Sequence, residues 1–501
     1  MITFVETQTL NLPKLFGWLF LAVLSKFIIK MVYNAYISPL SEIPGPKLSS
    51  LSEFSIMIRR PEGRVFEWFY QLHLKYGNVV RVGPKFVLFS SKEAVRQILV
   101  INDLPKTDAI AGIRADPDIA TLFSATDRTF HKQRKRLLSP AFSIKYIASL
   151  EPLMQSCIKT LIDRVKIMSS LTSKSDSPLQ FNENGLPIIN IHQLVQATSL
   201  DIIGETAFGG SFNLIEKGDH PLPGKVFQEL KRRVLYHTFP YMRPFLKKDS
   251  WTDEFIQNII KERRNLNAQG KKREDILQIL LDARDEDTNE GLNEFEIQDQ
   301  IMEFLIAGSD TSSFSINMAL ITLLHHPEKL RNLMNELTSA FPDGPHQSLN
   351  HENIKDLTYL NAVINEILRL FPAPMGGILR QTNDDMIIDG YFIPKDTIVS
   401  ASIYQVQYSK EIWGADADEF VPERWINGDP VELKRNVFTF GAGSRLCIGN
   451  NFAMMEIRLM IASLLLNFEF EMVKNQDLQI VQFITPSLRS KKFDVGVKVR
   501  N

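Results

Sequence analysis

The chain has 501 residues and a net charge of −1, from 57 basic and 58 acidic side chains. This balance gives no sign of a nucleic-acid partner, and the contents of 44% hydrophobic and 23% charged residues are those of an ordinary globular protein. Two cysteines are too few for a disulfide framework, which predicts a reducing compartment for the main body.

The N-terminal segment is strongly apolar. Residues 12–37 are interrupted by Lys26 and Lys30, and about 20 apolar residues are enough to span a bilayer. Residues 1–37 are therefore predicted to be an uncleaved anchor in membrane lipid, and the lysines at its C-terminal end predict a cytosolic body. A cleaved signal peptide and an amphipathic helix lying on the membrane are the alternatives.

Proline-rich residues 38–49 come next and are predicted to form a stiff hinge. Residues 79–90 have the pattern of two short strands around Gly83-Pro84, and residues 386–400 that of two strands joined by an Asp-Gly turn. The chain is predicted to be mainly α with a minor β sheet (α+β), with residues 50–501 as one domain. Apolar spacing predicts helices over 143–167, 222–236, 252–267, 292–325, 327–340, 357–370 and 451–467.

One of the two cysteines, Cys447, lies in the stretch FGAGSRLCIG. An isolated cysteine is usually a small buried hydrophobic side chain, which suits Cys157 in its amphipathic stretch. Around Cys447, the glycines Gly441, Gly443 and Gly449 are instead predicted to have positive φ angles and to leave room for a flat group.

A predicted helix begins directly after Cys447, and its free N–H groups together with the cation of Arg445 favour a thiolate. One cysteine without a second cysteine or a histidine close by does not fit a zinc site with four protein ligands. It fits a metal whose other ligands come from a cofactor, namely a haem.

The stretch FGAGSRLCIG resembles the haem-binding signature of the cytochrome P450 family. The resemblance implies heme b (iron protoporphyrin IX) with a cysteine thiolate as its axial metal ligand. It also implies an aromatic ring that shields the sulfur and an arginine that pairs with a haem propionate. The contacts implied by this stretch are Cys447, Arg445, Phe440, Gly441 and Gly449.

A second motif, Ala-Gly-Ser-Asp-Thr-Ser-Ser, precedes the cysteine by about 140 residues. By propensity this is a poor helix interior and a good N-cap, which predicts two helices broken near Ser309. The resemblance implies instead one long helix whose Ala307 and Gly308 pass close over the haem. It further implies that Asp310 and Thr311 are catalytic and deliver protons to bound dioxygen.

The string Glu366-x-x-Arg369 places two opposite charges on one helix face. Most such pairs are solvent-exposed and contribute little to stability. The resemblance implies that here they form a buried structural network with Arg424.

Further propionate contacts are implied for Arg380, His131 and Lys135. The last two occupy the positions where the family usually has Trp-x-x-x-Arg, which is a departure, because a lysine is a point charge rather than a planar fork. Arg134 and Arg136 are alternative contacts.

The resemblance is closest to filamentous-fungal, microsomal members and implies a monooxygenase that inserts one atom of O2 into an apolar small molecule. The chain has no evident nicotinamide or flavin loop, so the electrons are expected from NADPH-cytochrome P450 reductase, with cytochrome b5 as an additional donor. The expected location is the endoplasmic reticulum membrane, and the expected role is secondary-metabolite biosynthesis (mycotoxin, terpenoid or polyketide). A haem-thiolate isomerase, dehydratase or peroxide-using enzyme is the alternative, and a non-catalytic haem sensor is another.

Candidate substrate contacts are Phe304, Ala307, Thr311, Met375 to Leu379, Ile110 to Ile119, Ile484 and Thr485.

Overall fold

Helices make up most of the chain, as predicted. The computed structural model describes residues 12–114, 119–170, 180–218, 221–238, 240–285 and 289–500. Residues 1–11 of the predicted anchor and 115–118 of a predicted substrate loop lie outside the described residues. The longer α-helices are Leu12–Val32, Val65–Tyr76, Arg128–Leu138, Glu151–Ser169, Ile191–Ile203, Leu222–Thr238, Trp251–Ala268, Glu294–His325, Pro327–Ala340, Thr358–Leu370 and Asn450–Asn467.

Shorter helical pieces connect these elements. The short α-helices are Lys47–Leu51, Phe54–Met57, Lys92–Arg96, Asp108–Ala111, Ile144–Ser149, Leu214–Lys217, Ile276–Asp282, His351–Ile354, Ile403–Gln407, Lys410–Trp413, Arg424–Asn427 and Pro430–Lys434. The π-helical turns are Tyr33–Ile37, Gln97–Ile101 and Gly204–Phe208. The 3-10 turns are Pro39–Glu42, Arg60–Glu62, Ser139–Phe142, Pro240–Phe245, Gly344–His346 and Gly443–Arg445.

The strands form small sheets. In order, the four-stranded sheet consists of Val79–Gly83, Phe86–Phe89, Ile398–Ala401 and Ile378–Gln381, and the three-stranded sheet of Ile188–Asn190, Asp494–Val499 and Phe468–Met472. The two hairpins are Met386–Ile388 with Tyr391–Ile393, and Ile480–Gln482 with Pro486–Leu488. We call the second one the C-terminal hairpin. The two predicted strand pairs are thus confirmed, and Arg380 lies opposite Val399 in the four-stranded sheet.

The N-terminal helix is followed by a segment that packs against this sheet. The span Leu15–Ile37 has a mean hydropathy of 1.9 and its most apolar stretch has no buried residue, so within the described residues this segment is long and apolar enough to cross a membrane. In the predicted hinge, Leu40 and Ile43 are buried, and Pro44 O accepts a hydrogen bond from Arg81 N (2.8 Å). The guanidinium of Arg81 also donates to Asn34 O (2.8 Å), which links the end of the apolar span to the sheet.

Glu294–His325 is a single α-helix of 32 residues, which we call the long helix. The break near Ser309 that propensity predicted is therefore wrong. The hydroxyl of Ser309 donates to Leu305 O (2.5 Å) and that of Thr311 to Ala307 O (2.6 Å), one turn earlier in the same helix. These bonds satisfy the hydroxyls inside the helix, so they do not compete for its backbone.

The charge network on Thr358–Leu370 is buried, as expected. Glu366 and Arg369 are fully buried, and the guanidinium of Arg369 donates to both carboxylate oxygens of Glu366 (2.8 and 2.7 Å). Arg424 Nε donates to Glu366 Oε1 (3.0 Å), and the indole N–H of Trp425 donates to Glu366 Oε2 (2.9 Å). One carboxylate therefore joins the helix Thr358–Leu370 to the segment that contains Arg424 and Trp425.

Candidate functional site

The segment 440–449, which we call the cysteine loop, folds back on itself just before the helix Asn450–Asn467. Cys447 N donates to Phe440 O (2.9 Å). Gly441 and Gly443 have the expected positive φ angles of 76° and 69°. The expectation for Gly449 is wrong: its φ is −84°, because it is the N-cap of the following helix.

Three contacts fasten the cysteine loop to the rest of the protein. A Cβ at Gly443 would lie 2.0 Å from Leu99 O, so only glycine allows the loop to lie this close to the π-helical turn. The Ser444 hydroxyl donates to the carboxylate of Asp103 (2.7 Å). Lys135 Nζ donates to the carbonyl oxygens of Ser444 (2.8 Å) and Leu446 (3.0 Å).

These contacts place Lys135 against the backbone of the cysteine loop, where it lowers the pKa of the Cys447 thiol. Arg134 and Arg136, the alternative propionate contacts, form ion pairs away from the cysteine loop. Arg134 pairs with Glu296 at the start of the long helix, and Arg136 pairs with Asp285.

Burial nevertheless raises the pKa of the Cys447 thiol above its ordinary value, although the cysteine itself keeps an exposed surface. Cys447 therefore lies deep in the protein but keeps accessible surface. Cys157, in contrast, is buried in the core, and burial raises the pKa of its thiol well above the ordinary value.

Four basic side chains meet beside the cysteine loop. Arg445, Arg380 and His131 are buried, and Lys106 donates to Phe123 O (2.5 Å). Burial and the repulsion of Arg445 and Lys106 lower the pKa of His131 to about 3. Burial and Arg445 likewise lower the pKa of Arg380 to about 10. We call these four residues the cationic cluster.

The cationic cluster links the cysteine loop to the long helix. Burial lowers the pKa of Lys106, and its charge interacts with Arg380 and Arg445, with Glu303 of the long helix, and with Cys447. One turn after Glu303, Ala307 is exposed although it lies in the middle of the helix. The cysteine loop and Ala307 of the long helix therefore both border the region around Lys106.

Gly308 lies against another helix. A Cβ there would be 2.4 Å from Ile203 Cδ1, so the missing side chain allows the long helix and Ile191–Ile203 to pack closely. Asp310 also faces that side: it accepts hydrogen bonds from Gln196 Nε2 (3.3 Å) and from the Thr485 hydroxyl (2.8 Å).

The candidate substrate contacts have different environments. Met375 is 1% exposed and belongs to the core, whereas Ile484 is exposed at the tip of the C-terminal hairpin. Phe304 is half-buried, and its ring meets that of Phe142 edge-on at a centroid distance of 5.3 Å.

Comparison with known proteins gives a consistent result. Residues 44–495 match the family model described as Cytochrome P450. This chain belongs to the cytochrome P450 family. It is 34% identical over 467 residues to "Cytochrome P450 monooxygenase acrD" of Aspergillus aculeatus, covering 91% of this chain and 90% of the relative. It is 31% identical over 507 residues to "Cytochrome P450 monooxygenase LUC2" of a Fusarium species (100% and 97%). It is 32% identical over 475 residues to "Cytochrome P450 monooxygenase FUS8" of Gibberella moniliformis (92% and 89%).

The side chains of this P450 fit the haem that its family implies. The Nε atom of Arg445 is buried and has no hydrogen-bond partner among the described residues, while its two terminal nitrogens donate to Ala125 O (2.8 Å) and Thr126 O (3.0 Å). An unpaired buried donor within a cationic cluster is costly unless an anion binds there. A haem would supply two carboxylates that pair with the cationic cluster and an iron that binds the sulfur of Cys447.

Sequence reasoning missed Lys106 and Glu303. The carboxylate of Glu303 accepts hydrogen bonds from Phe123 N (3.1 Å) and from the hydroxyl of Thr121, and its burial raises its pKa. Glu303 thereby holds the loop that contains Phe123, whose carbonyl oxygen accepts the hydrogen bond from Lys106. Both residues lie outside any motif, so the sequence carries no signal for them.

Glu456, on the helix that follows the cysteine loop, was also missed. It is fully buried, and both carboxyl oxygens lack a hydrogen-bond partner among the described residues. The hydroxyls of Ser199 and Ser312 lie close by without reaching hydrogen-bond geometry. Burial raises the pKa of Glu456 to about 7, so the carboxyl is largely protonated below neutral pH.

We expect Glu456→Gln to stabilise this P450 increasingly as pH rises from the ordinary glutamate value of 4.5 to about 7, with a constant gain above that. A raised pKa in the folded state means that stability is fully present below the ordinary value of 4.5 and is lost as pH rises through about 7. The shift corresponds to about 3 kcal/mol, or roughly 3 °C in melting temperature for a chain of this length. Melting temperatures from pH 5 to 9 test this, with the surface variant Glu469→Gln as control; a difference that does not change with pH would contradict it.

Proposed function

We propose that Cys447 would bind the iron of heme b in this P450, and that the enzyme inserts one atom of O2 into an apolar small molecule. The observation that carries the proposal is the exposed Cys447 beside a cationic cluster that includes the buried, unpaired Arg445 Nε. When bound, haem supplies the activation of dioxygen.

The side chains of this chain would bind the cofactor and manage protons. Arg445, Arg380 and Lys106 would neutralise the two propionates and the neutral His131 would donate a hydrogen bond, which explains why these four groups lie together. On the long helix, the Thr311 hydroxyl can rotate away from Ala307 O to donate towards the cofactor side.

Asp310 would be the acid that carries protons from solvent towards Thr311. Its carboxylate is half-buried and bonded to side chains of two other elements, Gln196 and Thr485. Such a group accepts and releases protons without a large movement of the backbone.

The electrons would come from NADPH-cytochrome P450 reductase, with cytochrome b5 as an additional donor. The apolar span Leu15–Ile37 would cross the endoplasmic reticulum membrane once and keep the catalytic domain, residues 50–501, in the cytosol. The similarity to fungal monooxygenases supports a substrate from fungal secondary metabolism.

The ligand assignment is tested by replacing each cysteine in turn. We expect Cys447→Ala to lose the thiolate-type spectrum of the reduced, carbon-monoxide-bound protein and most of its haem. Cys157→Ala is the matched control, because this buried thiol belongs to the core and its removal should cost only packing. A thiolate spectrum retained in Cys447→Ala would refute the proposal.

A reconstitution experiment tests the reaction class. We expect O2 consumption that requires both NADPH and reductase, together with products made from fungal metabolite extracts. Turnover with peroxide alone would favour a peroxide-using enzyme instead.

A further inference from the structure

The carboxylate of Asp310 is held by side chains from two elements other than its own helix. Gln196, on Ile191–Ile203, donates to Oδ1 (3.3 Å), and Thr485, in the turn of the C-terminal hairpin, donates to Oδ2 (2.8 Å). Both donors are neutral, and the Thr485 bond is the shorter of the two. The position of the carboxylate therefore depends on where the hairpin lies.

The stem of the C-terminal hairpin is itself fixed on two sides. Gln482 accepts a hydrogen bond from Gly376 N (2.7 Å) and donates to Ala373 O (2.9 Å) through its side chain, and its backbone N–H donates to Gly63 O (2.7 Å). These bonds hold the start of the turn, from which Thr485 reaches the long helix. The turn is thus a rigid support for the hydroxyl.

A positive charge lies near this arrangement without forming a direct ion pair with Asp310. Lys491 Nζ donates to the Ser487 hydroxyl (2.6 Å), and its charge interacts with Asp310 at longer range. Asp310 is therefore oriented by hydrogen bonds from uncharged donors and not by a direct ion pair with arginine or lysine. Such a carboxylate is held in place but can still exchange partners.

We propose that Thr485 is a positioning residue that holds the Asp310 carboxylate through the C-terminal hairpin. The inference rests on the proposed function, in which Asp310 carries protons. Without the Thr485 hydroxyl, Oδ2 loses its donor and the carboxylate can turn away from its productive orientation. A substrate that displaces the exposed hairpin residues Phe483 and Ile484 would change the same bond.

A double-mutant cycle on unfolding tests the contact without any turnover. Thr485→Val removes the hydroxyl at nearly constant shape, and Asp310→Asn removes the charge. We expect the two substitutions to be non-additive by roughly tenfold in the unfolding equilibrium constant, the size of a hydrogen bond to a charged group. Thr338→Val is the control, because that hydroxyl donates to Met334 O within its own exposed helix; its effect should simply add to that of Asp310→Asn. Additive effects of Thr485→Val would overturn the proposal.

A second measurement tests the role in proton delivery. With the haem-loaded enzyme, reductase and NADPH, but no added substrate, we expect Thr485→Val to release at least twofold more peroxide per NADPH and to change the solvent deuterium isotope effect. Thr485→Ser keeps the hydroxyl and should behave as wild type. In an Asp310→Asn background, Thr485→Val should change neither quantity.

The outcomes separate the two proposals. An equal change in both backgrounds, with normal wild-type turnover, would overturn the positioning role alone. A wild-type enzyme that consumes no O2 with NADPH and reductase would contradict the proposed function, while the unfolding cycle would still report on the contact.

Discussion

Replacement of Gly443 by alanine is expected to prevent the cysteine loop from folding. Gly443 has a φ of 69°, and a Cβ there would lie 2.0 Å from Leu99 O and 3.1 Å from Leu99 C. These are backbone atoms that cannot rotate away, so the overlap adds to the roughly 1–2 kcal/mol that an L-residue loses in the left-handed region. We expect Gly443→Ala to yield little soluble protein and no thiolate-type spectrum.

The control for this substitution is Gly210→Ala. A Cβ at Gly210 would have no atom within 4 Å, and its φ is not positive, so the same chemical change should be tolerated. Normal haem content and a normal melting temperature in Gly443→Ala would show that the π-helical turn at Leu99 can move away, and that a side chain at position 443 is tolerated.

Replacement of Glu366 by alanine is expected to destabilise the protein by about 3–5 kcal/mol, the usual cost of removing one partner of a buried ion pair. Glu366 is fully buried and accepts hydrogen bonds from Arg369, Arg424 and the indole of Trp425. The substitution leaves the fully buried guanidinium of Arg369 without its anion, while Arg424 keeps only its pair with the more exposed Asp416. Denaturant unfolding measures the loss.

The matched control is Glu352→Ala. Glu352 and Lys355 have the same three-residue spacing as Glu366 and Arg369, but the carboxylate side chain of Glu352 is 76% exposed. Its removal should leave the unfolding midpoint unchanged. Equal effects of the two substitutions would show that burial of the network contributes nothing.

Much of the fold could be predicted because it follows from local patterns. The strands around Gly83-Pro84 and the helix after Cys447 are encoded by residues next to one another in the chain. The long helix was predicted over 292–325 from its apolar spacing, and only the break near Ser309 was wrong: propensity penalises Ser309 and Thr311 as though their hydroxyls compete with the backbone, whereas here they donate to carbonyls one turn earlier.

The site was predictable only where a motif marked it. Cys447 and Arg445 lie in one short stretch, but Lys106 reaches the same region from more than 300 residues away. The partner of Gly308 is equally non-local, since only the packing of two helices reveals that its missing side chain makes room for Ile203. Non-local contacts of single side chains leave no pattern that one sequence can show.

The cationic cluster has a consequence for how this P450 is made in a cell. The charges of Arg445, Arg380 and Lys106 repel one another and keep His131 in its neutral form, and a polypeptide that folds before it acquires the proposed haem carries that repulsion uncompensated. Completion of folding and binding of the haem are then thermodynamically linked. Hosts that are short of porphyrin should therefore accumulate a protease-sensitive chain, and feeding a porphyrin precursor should raise the yield of intact protein.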